Sequence, residues 1–282
     1  MKKYRKYEIS SIPFIPDILS GLLWQLNIKG IDEHEDSLSV FVTEDSDVDE
    51  LLLKKHLDNI KSQEIIKSYS IDFEEFEDKN WNEIWEMSRE VIRVSDRVVI
   101  KPTFKDYKQN ENEIVLTIDP KMSFGTGEHE STKLVLQLLE SHIKGGENVL
   151  DVGSGTGILS IAAIKLGADY AVAVDNDNQC YENCVENCLL NNVSEQVEII
   201  KGIIDDIKKN EFVLVVANIQ KNILINIAEK IMSKIKIGGR VILSGLMLKD
   251  ETEIEEKYMS LGFHKMEVKY LNEWLAIVFE KR

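Results

Sequence analysis

From residue 148 onward the chain alternates between two textures. Strand-length runs of Val, Ile, Leu and Ala occur as NVLDVG, YAVAVD, VEIIKG, FVLVVAN and RVILSG. Between them lie longer stretches whose apolar residues recur every three or four positions: GILSIAAIKLG, QCYENCVENCLLNN, KNILINIAEKIMSKI and DETEIEEKYMSLG. Unbroken apolar runs suit strands buried on both faces, and the longer period is that of a helix. The rhythm predicts a mainly parallel sheet with helices on both faces. VVIKPTF and EIVLTID precede it as two short strands. HKMEVKYLNEW and LAIVFEKR end the chain with no helix between them, which predicts a terminal antiparallel hairpin.

Before residue 95 the pattern differs. YRKYEIS, KGIDEHE, SLSVFVTE and IIKSYSIDF have strand character, and the middle pair flanks an acidic turn. PFIPDILSGLLWQLNI predicts a helix with Leu19, Leu22, Leu23 and Leu26 on one face. DVDELLLKKHLDNI predicts a second helix, capped by Asp47 or Asp49. The order β-α-β-β-α-β over residues 1–75 predicts a small ferredoxin-like α+β domain. Residues 76–94 predict a charged linker helix with Trp81 and Trp85 as its aromatic stripe. Residues 95–282 form the main α/β domain.

Composition narrows the function. At 282 residues and 43% hydrophobic, the chain can build two unequal domains with real cores. It has no run of about eighteen apolar residues, so no membrane span is expected. MKKYRKYEIS has a basic flank but no apolar segment behind it, unlike a signal peptide. With only three cysteines, a cytoplasmic protein is expected. A formal charge of −16 repels phosphate backbones, which argues against direct nucleic-acid binding and favours a basic partner.

Two glycine-rich segments carry the candidate chemistry. LDVGSGTG sits where a strand gives way to a helix, the place where open α/β sheets bind ligands. Gly153, Gly155 and Gly157 let the backbone approach a ligand closely. Asp175 ends the next strand, 22 residues after Gly153, where an acid binds ribose hydroxyls. The pair points to an adenosine-bearing ligand. The dinucleotide fingerprint needs glycine where Ile158 stands, and no ATP-type phosphate loop is present. Asp151, just before the glycines, would repel a pyrophosphate and suits a cationic amino-acid end. These features favour S-adenosylmethionine over NAD. Asn218 is polar at the end of an apolar strand, where capping the next helix is one use. Upstream, SFGTGEHEST (Ser123 to Thr132) predicts on its own a turn that caps a helix through Ser131 or Thr132.

D-x-G-x-G-x-G followed by an acid ending the next strand resembles the class I S-adenosylmethionine-dependent methyltransferases. Asn218-Ile219, SFGTGEHEST, NWNEIW, SGLM and GFHKMEVKYLNEW together resemble a narrower family, the bacterial ribosomal protein L-eleven methyltransferases (PrmA), over essentially the whole chain. The resemblance implies a Rossmann-like seven-stranded methyltransferase sheet behind a substrate-recognising N-terminal domain. It implies S-adenosylmethionine as cofactor and amino groups of ribosomal protein L-eleven, a basic protein, as acceptors: lysine side chains, with the N-terminal amine as a further candidate. Thr132, Gly153, Asp175 and Asn218 would contact the cofactor. Phe124 and Thr126 would shape the pocket wall, and Asp151 and Gly155 would complete the cofactor set. The FGTG segment would cover the cofactor from the side opposite LDVGSGTG. Asn218 and Ile219 would meet the acceptor amine. His129 would either relay a proton or order its own loop.

Two residues depart from the pattern. Gln220 stands where relatives often have Leu, and Ile203 after Gly202 leaves only backbone to meet the adenine edge. A monomer is expected. The alternatives are a methyltransferase acting on another protein or a small-molecule amine, and a cofactor-binding module without catalysis. His34, His56, His142 and His264 lack metal-ligand spacing and are expected at the surface. Cys180, Cys184 and Cys188 recur every fourth residue. On a straight helix the outer two lie about 12 Å apart, so the stripe predicts packing against the sheet and no metal site.

Overall fold

The computed structural model describes residues 3–34, 36–43, 46–77, 90–119 and 123–282. The chain divides into two compact units, 1–88 and 89–282. The expected linker helix falls largely on 78–89, with Trp81 and Trp85, and so lies outside the described residues. Among the described residues no helix is long and apolar enough to cross a membrane.

In the first unit, β1 (Lys3–Ile12), β2 (Gly30–Glu33), β3 (Ser37–Thr43) and β4 (Ser68–Glu77) pair in the order β2-β3-β1-β4, all antiparallel. Helix α1 (Pro16–Leu23) follows β1, and α2 (Glu50–Ser62) joins β3 to β4. The first helix ends earlier than its apolar pattern suggests. Leu19 and Leu23 are buried, whereas Leu26 lies in a turn whose N–H donates to the Leu23 carbonyl at 3.0 Å. Asp49 caps α2 by accepting from the Leu52 N–H at 2.7 Å, satisfying a donor the helix leaves open. Both helices pack Leu19, Leu23, Leu53 and Leu57 against Tyr7, Ile9, Leu38 and Val40.

The second unit opens with a small sheet of β5 (Ile92–Arg93), β6 (Val98–Lys101) and β7 (Ile114–Thr117). Its main sheet contains β8 (Asn148–Val152), β9 (Tyr170–Asp175), β10 (Val197–Lys201), β11 (Phe212–Asn218), β12 (Ile235–Met247), β13 (Phe263–Leu271) and β14 (Trp274–Lys281). The strand order is β10-β9-β8-β11-β12-β14-β13. The first five run parallel. The last two form the terminal hairpin, and β14 inserts between β12 and β13, antiparallel to both. The chain runs outward from β8 to β10, then returns past β8 to begin β11. The gap between β8 and β11 is therefore a topological switch point.

Among the described residues five helices cover the main sheet: α3 (Glu130–His142), α4 (Ile158–Lys165), α5 (Asn178–Leu190), α6 (Lys221–Lys234) and α7 (Glu251–Ser260). Alternate strand residues enter opposite layers. Val149, Ala171, Ala173, Leu214 and Val216 share a core with α3, α4 and α5. Leu150, Val172, Val174, Val215 and Ala217 share the other core with α6 and α7. Both faces being covered, the central strands β8, β9 and β11 are largely apolar, with Asp151 of β8 a polar residue buried among them.

Candidate active site

The carboxyl ends of five parallel strands open on one cleft of about 590 Å³. Sheet order fixes the order of its floor. Gly202, Ile203, Ile204 and Asp205 follow β10; Asp175 ends β9; Gly153 and Gly155 follow β8; Asn218 ends β11 and Ile219 follows it; Gly245 lies in β12. Phe124, His129, Cys180 and Trp274 also line it.

The two glycine-rich segments interlock. The Thr156 N–H donates to the Phe124 carbonyl at 2.9 Å, and the Thr156 hydroxyl donates to the Gly125 carbonyl at 2.8 Å. Gly155 sits in the left-handed region at φ +52°, and a Cβ there would collide with the Phe124 carbonyl oxygen. Glycine at this position thus serves the contact between loops. Asp175 braces the second loop, because its Oδ2 accepts from the Gly155 N–H at 2.9 Å. Its Oδ1 accepts from the Asp177 N–H at 3.0 Å.

Sequence reasoning missed the supports beneath these loops. Asn183, Asn187 and Asn191 recur at every fourth position along α5 and its C-cap. Asn191 exchanges two hydrogen bonds with the Thr117 backbone, at 2.9 and 2.6 Å. Asn187 accepts from the Asp119 N–H and donates to the Thr156 carbonyl, both at 3.0 Å. Asn183 donates to the Asp119 carbonyl at 2.7 Å. The asparagines act as a strand edge for the chain entering the first loop, and Asn187 ties that chain to the second. The spacing was visible beside the cysteine stripe, but only the structure supplies the partners. Cys184 and Cys188 are buried as expected of packing residues, whereas Cys180 is partly exposed and borders the cleft.

At the end of β11, Asn218 is 8% exposed. Its Nδ2 donates to the Thr132 hydroxyl at 3.3 Å, and its Oδ1 has no hydrogen-bond partner. It does not cap a helix, since α6 starts after Gln220. Helix α3 is capped by His129, not by Ser131 or Thr132: the imidazole Nδ1 accepts from the Ser131 N–H at 3.2 Å. In a neutral ring this places the proton on Nε2. The His129 ring stands edge-on to Phe124 at 5.5 Å and to Trp274 at 4.5 Å between centroids. Trp274 had no signal beyond its place in the C-terminal motif.

Three expected site residues do not line the cleft. The Thr126 hydroxyl accepts from the Glu128 N–H at 3.2 Å, a local turn bond that shapes its loop. Thr132 is fully buried on α3. Asp151 is fully buried because strand alternation turns it toward α4, where it accepts from the Ser160 N–H at 3.1 Å and hydroxyl at 2.8 Å. Burial pushes its carboxyl up to about 7; the Ser160 bonds oppose the rise and the Asp175 charge adds to it. At the β10 end, the Ile203 N–H already donates to Asp206 at 2.9 Å. It is therefore not free for an adenine edge. Asp205 and Lys230 pair at the same end.

Elsewhere, His142 is not a surface residue. Its side chain is 11% exposed and its Nε2 lies 3.0 Å from Glu267. Among the described residues no group of three or more His, Cys, Asp or Glu is placed to hold a metal.

Comparison with known proteins places this architecture. The family model described as ribosomal protein L11 methyltransferase (PrmA) matches residues 24–282. The chain belongs to the ribosomal protein L11 methyltransferase family. A family member from Acetivibrio thermocellus is 36% identical over 206 residues, covering 73% of this chain and 66% of that protein. One from Ruminiclostridium cellulolyticum is 35% identical over 239 residues, covering 83% and 76%. The crystal structure of a ribosomal protein L11 methylase from Lactobacillus delbrueckii subsp. bulgaricus superposes with a TM-score of 0.65 at 29% identity, covering 69% of this chain and all of that one. The cofactor of the L11 methyltransferase family is S-adenosylmethionine.

Proposed function

We propose that this protein transfers methyl groups from S-adenosylmethionine to amino groups of ribosomal protein L11, on lysine side chains, with the N-terminal amine as a further candidate. One observation carries the reading most. Asn218 presents a buried, partnerless oxygen at the topological switch point, where an amine can be received. Leaving such an atom unpaired costs about 1–3 kcal/mol, so a donor group brought to it in the cleft is favoured.

The cleft fits the cofactor from end to end. The carboxylate of Asp175 suits a ribose diol, and Gly153 and Gly155 let the chain lie close beneath it. The ends of β9 and β11 are two strand spacings apart, about 10 Å, so the ribose and the reacting group can be served by different strands. Ile203, Ile204 and Ile223 offer apolar walls at the adenine end. When bound, the cofactor supplies a methyl group already activated by its sulfonium. Asp151, Thr126 and Thr132 then act from behind the cleft wall and not as direct contacts.

The residues of the chain mainly position the acceptor. A lysine with a reference pKa of about 10.4 is neutral about once in 2,500 molecules at pH 7, a cost of roughly 4.6 kcal/mol. The Asn218 oxygen accepts from the neutral amine and holds its lone pair toward the methyl. A carboxylate at that place would trap the ammonium form, so an amide is the better acceptor. The carbonyls of Asn218 and Ile219 add further acceptors. His129 orders its loop through Nδ1 and leaves only Nε2 to face the cleft.

In this reading the first unit has the strand order of a ferredoxin-like domain and recruits L11, a basic protein drawn to a chain of charge −16. The main sheet is the Rossmann-like catalytic layer. The enzyme works in the cytoplasm as a monomer. Asn218→Ala tests the assignment. Cofactor affinity by calorimetry stays within about tenfold, while methyl transfer to L11 falls at least about a hundredfold. Parallel loss of both would make Asn218 a binding residue only.

A further inference from the structure

We infer that Gly245 is a positioning residue for methyl transfer: it lets the Ile219 peptide lie close against β12 and keeps the Ile219 carbonyl oxygen uncovered in the cleft. It rests on the proposed role of that carbonyl as an acceptor for the incoming amine. Ile219 and Gly245 both line the cleft. Strands β11 and β12 run parallel with Asn218 opposite Ser244, so Ile219 and Gly245 are the next residues along the two chains. Gly245 has φ +79°, and a Cβ built on it would stand 2.5 Å from the Ile219 oxygen and 2.9 Å from its carbonyl carbon. Both are main-chain atoms, which no rotamer change can move aside. A side chain at position 245 therefore pushes the Ile219 peptide away or leaves a carbon against its oxygen.

The sheet is shaped for this approach. Pairing of β12 with β14 changes register between Leu243 and Leu246, where the partners are Ile277 and Leu275. The extra residue on β12 makes a β-bulge at Ser244 and Gly245, and glycine at positive φ is a usual occupant of a bulge beside a functional site. The Ser244 hydroxyl holds the bulge by donating to the Leu275 carbonyl at 2.9 Å. The strand on the other side closes on the same residue, since a Cβ at Gly153 would collide with the Ile219 Cγ2. Ile219 is thus gripped between two glycines, its side chain at Gly153 and its main chain at Gly245. A further tie lies just beyond. Buried Asp250 accepts from the Met247 N–H at 3.0 Å and pairs with the Lys221 Nζ at 3.2 Å, which holds together the segments that follow β11 and β12.

The test compares Gly245→Ala with Gly238→Ala. Gly238 lies in the same strand at φ +73° with nothing within 4 Å of its Cβ position, so both variants carry the backbone strain and only the first meets Ile219. Gly245→Ala is expected to lower kcat for L11 about tenfold or more, with KM and calorimetric cofactor affinity within about threefold. Gly238→Ala is expected to stay within about twofold in all three. Gly245→Asn supplies a residue type that tolerates positive φ, so it relieves the strain, and it is expected to keep the loss in kcat because its Cβ remains. Recovery of kcat in Gly245→Asn, an equal loss in Gly238→Ala, or a fall in cofactor affinity as large as the fall in kcat overturns the inference. A second readout needs no methyl transfer. The Ile219 carbonyl carbon and the Gln220 amide belong to one peptide group, and their resonances are expected to move in both Gly245 variants and to stay in place in Gly238→Ala. Unchanged resonances in Gly245→Ala would refute the contact itself. If the wild-type protein leaves L11 unmethylated, the proposed function fails, and these resonances still decide whether Gly245 sets the Ile219 peptide.

Discussion

Asn187 is the residue on which both glycine-rich loops depend, and Asn187→Ala removes both ties at once. Its side chain is fully buried on α5, and the substitution leaves the Asp119 N–H and the Thr156 carbonyl without partners. Each of the two groups stripped of a buried bond costs about 1–3 kcal/mol, so the expected loss of stability is about 2–6 kcal/mol. That is a sizeable share of the total of about 5–15 kcal/mol that holds a typical domain together. Urea unfolding followed by circular dichroism measures the loss. Hydrogen exchange locates it: amides at 117–119 and 153–157 are expected to exchange faster, and those of β11 are expected to change little. Cofactor affinity is expected to fall about tenfold or more, since both loops border the cleft. Asn178→Ala on the exposed first turn of the same helix, where the side chain meets only Glu182 and Lys201, is the control and should stay within about 0.5 kcal/mol. A loss below about 1 kcal/mol in Asn187→Ala would refute the claim that this side chain holds the two loops.

Asp151 gives a pH prediction. Its carboxyl is raised in the folded chain, from an ordinary value of 3.8 to about 7. Its contribution to stability is therefore fully present below the unfolded value and is lost as pH rises through the folded one. Asp151→Asn cannot ionise, so its stability relative to the parent is expected to rise by about 3 kcal/mol between pH 5 and pH 8 in urea titrations; a pH-independent difference contradicts the assignment. Gly155→Ala and Gly238→Ala both place a side chain at positive φ, at +52° and +73°, but nothing lies within 4 Å of the second. Each is expected to cost about 1–2 kcal/mol for the backbone alone. Only Gly155→Ala is expected to weaken cofactor binding as well, and equal calorimetric affinities in the two variants would sink the loop-contact argument.

The sheet was legible because its strands are buried on both faces, and such burial leaves unbroken apolar runs like FVLVVAN. The place of Asp175 and Gly153 in the cleft was legible for a different reason: they occupy strand ends, and in an open α/β sheet the strand ends line the crevice. What stayed hidden depends on side-chain direction. Asp151 and Gly153 are two residues apart, yet one turns into the α4 layer and the other borders the cleft. The sequence motif treats them alike. His129 and Thr132 lie three residues apart at the end of the first segment. Only the packing of α3 on β11 shows that one is buried against Asn218 while the other caps the helix and borders the cleft. The position of β14 between β12 and β13 was also invisible, because a hairpin pattern carries no information about which edge it joins. The asparagines of α5 look like surface residues by composition, and their role appears only when the backbone of Thr117 and Asp119 lies alongside them.

The most direct test of the account is intact-mass and peptide mass spectrometry of isolated ribosomal protein L11, after incubation with this protein and S-adenosylmethionine. The account predicts mass gains in whole-methyl steps, mapped to lysine side chains or the N-terminal amine and lost in Asn218→Ala. An unchanged L11 mass, with cofactor binding intact by calorimetry, would contradict it and leave a methyltransferase fold directed at another acceptor.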